Sequence, residues 1–390
     1  MPGKPYSRCY FEALLAGAEG LGKKLPAISR AGEEVADRLV AGGELFIASV
    51  RPDFVSEGVV RSGGLMLLRQ YTCATDLSAA DTVIAGWSNT TPARDLELMR
   101  KLHGSGARVI GMGPRPPGEL AGDLLAHTHL FLDSSLPLSQ AFTAPFSGES
   151  YPLVSLQNLL LLWTLTGEIV AALTRRGYMP TMYQSVLVPG ARERNAGCHG
   201  SWFHCEHAVS PVPDGQLGRA FLSRISGIFR ALLEGEVDSI ERVAQVCARV
   251  RNEGKTIHAG LISHFPMYQA GAPGDPGHMQ RLEPLAAETP SEKELALKLK
   301  QGDLFFFLGY YRRPTSAYRT ARQKGALIVE VIAGAGEPEE GDPMPDFSIR
   351  PHWPYGDSLV SVPGYGIRVL PSSGIVQTAV YWAVQGSIRV

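Results

Sequence analysis

The sequence predicts an α/β protein made of two successive parallel sheets, each flanked by helices. Three observations lead there. Short apolar runs of strand length alternate with helical patterns, as in Thr82–Ala85, the segment from Pro92, and Arg108–Met112. That alternation marks a parallel sheet covered on both faces. At 390 residues the chain is longer than one core usually serves. Landmarks also recur at a fixed offset: Gly106 and Gly325, Pro152 and Pro371, Trp163 and Trp382, and Gly167 and Gly386 are each 219 apart. Upstream the offset is 222, pairing Asp81 with Asp303 and Pro92 with Pro314, which predicts a helix about three residues shorter in the second half. An internal duplication is the economical explanation. The divisions expected are residues 1–195, a crossover at 196–217, and a diverged copy at 218–390.

In chain order, Tyr10–Leu21 and Ile28–Val40 read as two helices, the second with Val35, Leu39 and Val40 on one side. Gly42-Gly43 breaks to a strand, Glu44–Ala48. The turn Ser49-Val50-Arg51-Pro52-Asp53 then opens a helix carrying Glu57 and Arg61. The next strand, Thr82–Ala85, ends in the polar turn Trp87-Ser88-Asn89-Thr90-Thr91-Pro92. Pro92 has the fixed φ favoured at a first helical position. The first amides of the helix lack intrahelical partners and its dipole is positive there, so the turn can accept a phosphate. Ser, Asn and Thr are equally the ordinary helix caps. Leu96, Met99 and Leu102 give this helix its apolar face, and Gly104–Gly106 end it before Arg108–Met112.

Pro114–Gly118 reads as a turn, Leu130–Leu132 as a strand ending at Asp133-Ser134-Ser135, and Ser139–Ser150 as a polar segment. Leu153–Val170 is the most apolar run, but Ser155, Gln157, Asn158, Thr164, Thr166 and Glu168 interrupt it. It reads as a buried core helix rather than a membrane span. Ligands of such sheets bind outside the carboxyl ends of the strands, so the loops after Ala48, Trp87 and Asp133 share one rim. In the second half, Gln301–Leu308 and Ala326–Val331 repeat the central strands, while Gly271–Pro276 and Gly334–Pro345 read as loops. There the polar turn has become Tyr310-Tyr311-Arg312-Arg313-Pro314-Thr315-Ser316, and the first loop His258-Ala259-Gly260-Leu261-Ile262-Ser263-His264. Arg312 and Arg313 suit an anion and His264 suits proton transfer near neutral pH, or this copy keeps the fold without a site.

The turn Trp87–Pro92, the segment Gly106-Ala107-Arg108-Val109-Ile110 and the stretch Pro152–Gly190, with Gln184-Ser185-Val186-Leu187-Val188-Pro189-Gly190, resemble the sugar-isomerase (SIS) phosphosugar-binding family. The resemblance covers roughly Glu44–Gly190 and, more faintly, the second half. It implies tandem SIS-like domains, each a flavodoxin-like three-layer α/β/α unit. It also implies a sugar phosphate gripped by Ser88, Asn89, Thr90 and Thr91. The first loop departs from the family, because Arg51 and Pro52 replace small residues. Arg51 then either reaches the phosphate through its guanidinium fork or lies on the surface. The family's isomerases use a glutamate on a helix as base, often with a histidine assisting. Glu57 is the candidate base, with His204, His258 or His264 assisting; Glu57 could equally be a solvated helix-face carboxylate.

The cluster Cys198-His199-Gly200-Ser201-Trp202-Phe203-His204-Cys205-Glu206-His207 lies between the two copies. His204, Cys205 and His207 are a conceivable zinc set, but the spacing matches no standard site and lacks a C-x-x-C pair. A histidine lent to the sugar site is the alternative, and no cofactor is expected. Trp353, Tyr355, Tyr365 and Trp382 would serve as a sugar-stacking platform or as packing.

Net charge is −1, from 37 basic and 38 acidic residues, which offers no electrostatic footprint for nucleic acid or an anionic membrane. Five cysteines form no disulfide framework, and Met1–Tyr10 has no apolar export core, so a cytoplasmic protein is expected. No G-x-G-x-x-G before a helix, Walker loop or H-E-x-x-H is present. The expected function is a phosphosugar-binding protein, first of all an aldose–ketose isomerase. The alternatives are a lyase or epimerase, a non-catalytic sensor, or a metal-dependent enzyme. A sugar phosphate is the expected partner, and a homodimer the first guess at assembly.

Overall fold

The computed structural model describes residues 4–116, 118, 120–135, 151–206, 209–283, 292–334 and 341–389. The polar segment Ser139–Ser150, His207 and part of Gly334–Pro345 lie outside them. The first half runs α1 (Tyr6–Val40), β1 (Leu45–Ser49), α2 (Pro52–Gly58), β2 (Leu68–Gln70), β3 (Thr82–Gly86), α3 (Pro92–Gly104), β4 (Arg108–Gly113), α4 (Leu120–Ala126), β5 (Leu130–Asp133) and α5 (Tyr151–Arg175). A short helix, α6 (Ala191–Gly197), follows α5. The second half runs α7 (Gln216–Gly235), α8 (Val237–Asn252), β6 (Ile257–Leu261), β7 (Gln280–Arg281), α9 (Glu292–Lys298), β8 (Leu304–Leu308), α10 (Thr315–Gln323), β9 (Leu327–Val331) and β10 (Phe347–Ile349). An antiparallel hairpin, β11 (Ser358–Ser361) and β12 (Arg368–Pro371), then leads into α11 (Ser373–Ser387).

Each half holds a five-stranded parallel sheet, and the two have one topology: β2-β1-β3-β4-β5 and β7-β6-β8-β9-β10. The repeat extends to single hydrogen bonds. Asp81 accepts from the amides of Glu44 and Ser78, both at 2.8 Å, and Asp303 accepts from those of Thr256 at 3.0 Å and Lys300 at 2.8 Å. The Asn158 amide donates to the Trp87 carbonyl and that of Gln377 to the Gly309 carbonyl. Helix α10 spans 9 residues against 13 in α3, one more than the three-residue shortening expected.

Alternation along the strands splits the core into layers. Val83 and Ala85 face an outer cluster with Leu96, Met99 and Leu102 of α3; Phe305 and Phe307 face another with Tyr318 and Ala321 of α10. Ile84, Phe306 and Leu308 point inward to a single large core, where α1, α5, α7, α8 and α11 bring the halves together. Helix α5 is apolar and long enough to cross a membrane by length and composition, but its most apolar stretch is wholly buried within the fold.

The N-terminal segment corrects the sequence reading: one continuous helix replaces two. Pro26 removes a hydrogen bond, but it lies on the exposed face, where water can solvate the freed carbonyl. The buried stripe through Leu21, Leu25 and Ile28 carries the helix across. At the join between the halves, Glu168 of α5 accepts hydrogen bonds from Ser29 at 2.6 Å and from the amides of Gly215 at 2.6 Å and Gly218 at 2.8 Å. The carboxylate thus satisfies the amino end of α7. A side chain at Gly218 would meet it, since a Cβ there would lie 2.9 Å from Glu168 Oε1.

Glu168→Ala should lower the free energy of unfolding by about 3 kcal/mol, because three buried donors lose their acceptor. Pro26→Ala should raise it by about 1–3 kcal/mol by restoring the helical ladder. Urea unfolding of both variants checks these signs.

Candidate functional site

In a sheet of this strand order the crevice opens where the chain direction reverses, between the first and third strands of each half. In the first half that point is closed. Arg51 pairs with Asp53 at 3.2 Å and lies 4.8 Å over the Tyr151 ring, whose hydroxyl donates to Asp53. Phe54 presses on Gly86, where a Cβ would lie 2.5 Å from its ring. The space left among Ser49, Arg51, Ser88 and Asn158 is about 10 Å³, room for roughly one water.

The second half is open at the same point. Ser263 and His264 after β6 and Tyr310 after β8 line a cavity of about 460 Å³. Arg61 and Ser62 after α2, Tyr183, Gln184 and Ser185 between α5 and α6, and Asp357 complete its walls, with Arg192 and Asn195 of α6. Its size is that of a small-molecule site.

Behind this wall lies a buried charged cluster. The Arg61 guanidinium contacts Glu57 at 3.2 Å and Asp357 at 3.1 Å, and donates to Ser373 at 2.9 Å and Tyr310 at 3.4 Å. Asp357 also accepts from the amides of Ser372 at 3.1 Å and Ser373 at 2.6 Å, holding the amino end of α11. Glu57 is wholly buried and accepts from the Phe265 amide at 3.4 Å. Burial pushes its pKa up to about 7 against the pull of Arg61, and Asp357 raises it further. A Cβ at Gly374 would lie 2.2 Å from its carboxylate, so α11 packs directly on Glu57.

Among solved structures, the C-terminal domain of glucosamine-fructose-6-phosphate aminotransferase from Francisella tularensis superposes with a TM-score of 0.53 at 10% identity, covering 99% of this chain and 96% of that one. The fold is the tandem sugar-isomerase fold. Candidate phosphosugar isomerases from Clostridium difficile 630 (TM-score 0.49, 9% identity, 98% and 91% coverage) and Silicibacter pomeroyi DSS-3 (0.46, 9%, 98% and 96%) are also similar. No family model and no curated protein matches the sequence.

Within this sugar-isomerase fold the expected site residues are dispersed. Arg51 and Ser88 border the closed first crevice, and Ser88 shares a 2.9 Å hydrogen bond with Thr90. Asn89, Thr90 and Thr91 are partly exposed, with Asn89 in the left-handed region at φ 60°. The carboxylates of Asp53 and Asp95 are buried in this region; burial raises the Asp95 pKa to about 7. The crevice beside Ser88 is therefore filled by the protein's own side chains and bordered by Asp53, while Asn89, Thr90 and Thr91 lie outside its lining.

His264 does line the open cavity, 3.3 Å from the Ser56 carbonyl, and burial with the nearby Arg61 charge lowers its pKa to about 4. His204 is outside the lining, its Nε2 3.0 Å from the Tyr365 hydroxyl. His258 lies at the amino end of β6, 3.4 Å from Asp303 and at the opposite edge of the sheet from the cavity. Arg313 pairs with Glu330 at 2.9 Å. Of the four aromatics read as a platform, Trp353, Tyr365 and Trp382 are buried and Tyr355 is exposed. Among the described residues no three His, Cys, Asp or Glu side chains form a metal-binding group. His207 lies outside those residues.

The sequence reading missed Asp357 and Arg192. The turn Pro354-Tyr355-Gly356-Asp357 was the signal available for the first. Helix α2 also ends at Gly58, so Arg61 stands on the following loop, beyond Val60 at φ 52°. Such a conformation is strained for a β-branched residue, and it lies on the cavity's edge.

Arg61→Met should cost about 3–5 kcal/mol, since it strands two buried carboxylates. The folded state holds the Glu57 proton more tightly than the unfolded chain, so this group's contribution is full below about pH 4.5 and lost as pH rises through about 7. His264 acts oppositely, losing its contribution as pH falls below 6.5. In denaturant melts from pH 5 to 7.5, Glu57→Gln should therefore gain stability relative to the parent as pH rises.

Proposed function

We propose that this protein binds a phosphorylated sugar in the crevice of its second half, and that it acts first as a binding protein. The cavity at the β6/β8 switch point carries the reading. Its walls combine the exposed guanidinium group of Arg192, suited to phosphate, with the amide of Gln184 and the hydroxyls of Ser62, Ser185 and Ser263, suited to a sugar. The fold shared with the aminotransferase domain supports a ligand of this class.

Binding without turnover is favoured because neither nearby carboxylate is free to act. Asp357 is taken up by Arg61, Ser372 and Ser373, and Glu57 sits behind Arg61 rather than in the lining. Aldose–ketose isomerisation is the second reading. One observation favours it: Glu57 is poised near pH 7, where a general base works best. It would require the bound sugar to draw Arg61 aside.

Thermal unfolding against sugar phosphates and their unphosphorylated sugars tests the first reading. A phosphosugar at a hundred times its dissociation constant should add about 2.7 kcal/mol. The shift should vanish in Arg192→Ala with Ser263→Ala and persist in Ser88→Ala with Thr90→Ala. No shift from any sugar phosphate would overturn the proposal. Solvent deuterium entering the carbon beside the carbonyl, and lost in Glu57→Gln, would establish isomerisation instead.

A further inference from the structure

The cavity has a second chamber. About 180 Å³ lies beside the main space, bordered by Val188, Tyr355, Gly356, Ser358, Ile367 and Arg368, and both chambers are lined by Gln184 and Ser185. Thin contacts run between residues of the two linings. Ser62 donates to the Gly356 carbonyl at 3.2 Å, and the exposed Tyr355 donates to the Leu187 carbonyl at 2.7 Å. Asn195 accepts from the Gln184 backbone N–H at 2.9 Å and donates to its backbone carbonyl at 2.8 Å, which pins the backbone beneath the Gln184 side-chain amide that lines both chambers.

Each chamber also carries a positive charge. Each has one exposed arginine, Arg192 in the larger and Arg368 in the smaller, and among the described residues neither has an acidic partner. Arg61, Arg194 and Arg313, by contrast, are all engaged with protein groups. A guanidinium fork suits a phosphoryl or carboxylate group, and two forks flanking a neutral amide suit a ligand charged at both ends.

We infer that the site takes a sugar with two anionic groups, one phosphoryl group in the chamber of Arg192 and a second anion in the chamber of Arg368, with the sugar lying across Gln184 and Ser185. This rests on the sugar-phosphate reading and narrows its substrate class. The second anion is a phosphoryl or a carboxylate group, and the assay separates the two.

The experiment is calorimetric titration of the full chain with fructose 6-phosphate, fructose 1,6-bisphosphate and 6-phosphogluconate. One doubly anionic ligand should bind about tenfold more tightly than the monophosphate, the effect of one added charge-assisted contact. Arg368→Ala should bring it down to the monophosphate's affinity, and Arg368→Glu should bring it lower. Arg368 is exposed, and unliganded melting of each variant should match the parent. Equal binding of all three ligands, or a preference that survives Arg368→Ala, would overturn the inference and leave the sugar-phosphate reading standing. Failure of every ligand would overturn both.

Discussion

The site depends on one guanidinium buried between two carboxylates. Arg61 comes from the first half of the chain; Asp357 comes from the segment before the β11–β12 hairpin in the second. Removing these charges from water is costly, and the cost is offset only while all three groups stay together with Tyr310 and Ser373. That requirement fixes the loop after α2, the amino end of α11 and the segment after β8 in one arrangement. The left-handed Val60 is strained backbone held by the same constraint. Pairing therefore does what apolar packing cannot: it sets the wall of a cavity between two halves whose cores are already joined.

The halves share a topology, yet one crevice is closed and the other open, and side-chain volume accounts for the difference. Strands β1 and β6 correspond at an offset of 212, as Leu45 and Ile257 show, which places Arg51 where the second half has Ser263. Arg51 fills its crevice by pairing with Asp53 and stacking on Tyr151; Ser263 leaves its crevice empty. The backbone corners set by Asp81 and Asp303 are alike in both, so the scaffold is constant and the guests differ.

Glu168 plays for the fold the part Arg61 plays for the cavity. Its carboxylate meets the amino end of α7, where unpaired amides and the helix dipole both favour negative charge. Glycine at 218 lets α7 come close enough for this. A polar residue inside the most apolar helix is thus a connector between halves rather than an interruption.

By itself the sequence determined the fold class, the strands β1, β3, β4, β5, β8 and β9, and the repeat. Those follow from local periodicity and from landmarks at fixed offsets, and short-range rules govern them. The polar turn after β3, the apolar face of α3 and the buried character of α5 were legible for the same reason. Residues 258–261, read as part of a loop, belong to β6, and β2, β7, β10 and the hairpin went unread. The site was legible only in fragments: Glu57 was read on its helix and His264 and Tyr310 in loops that do border the cavity, but Arg61 was read as a helix residue and nothing local pairs it with Asp357, 296 residues later. The two-helix reading of the N-terminal segment failed because the effect of Pro26 on a helix depends on whether its face meets water or core. Which crevice is open was decided by tertiary structure alone, since it turns on whether Arg51 finds Asp53 and Tyr151 within reach, and those distances exist only in the folded chain.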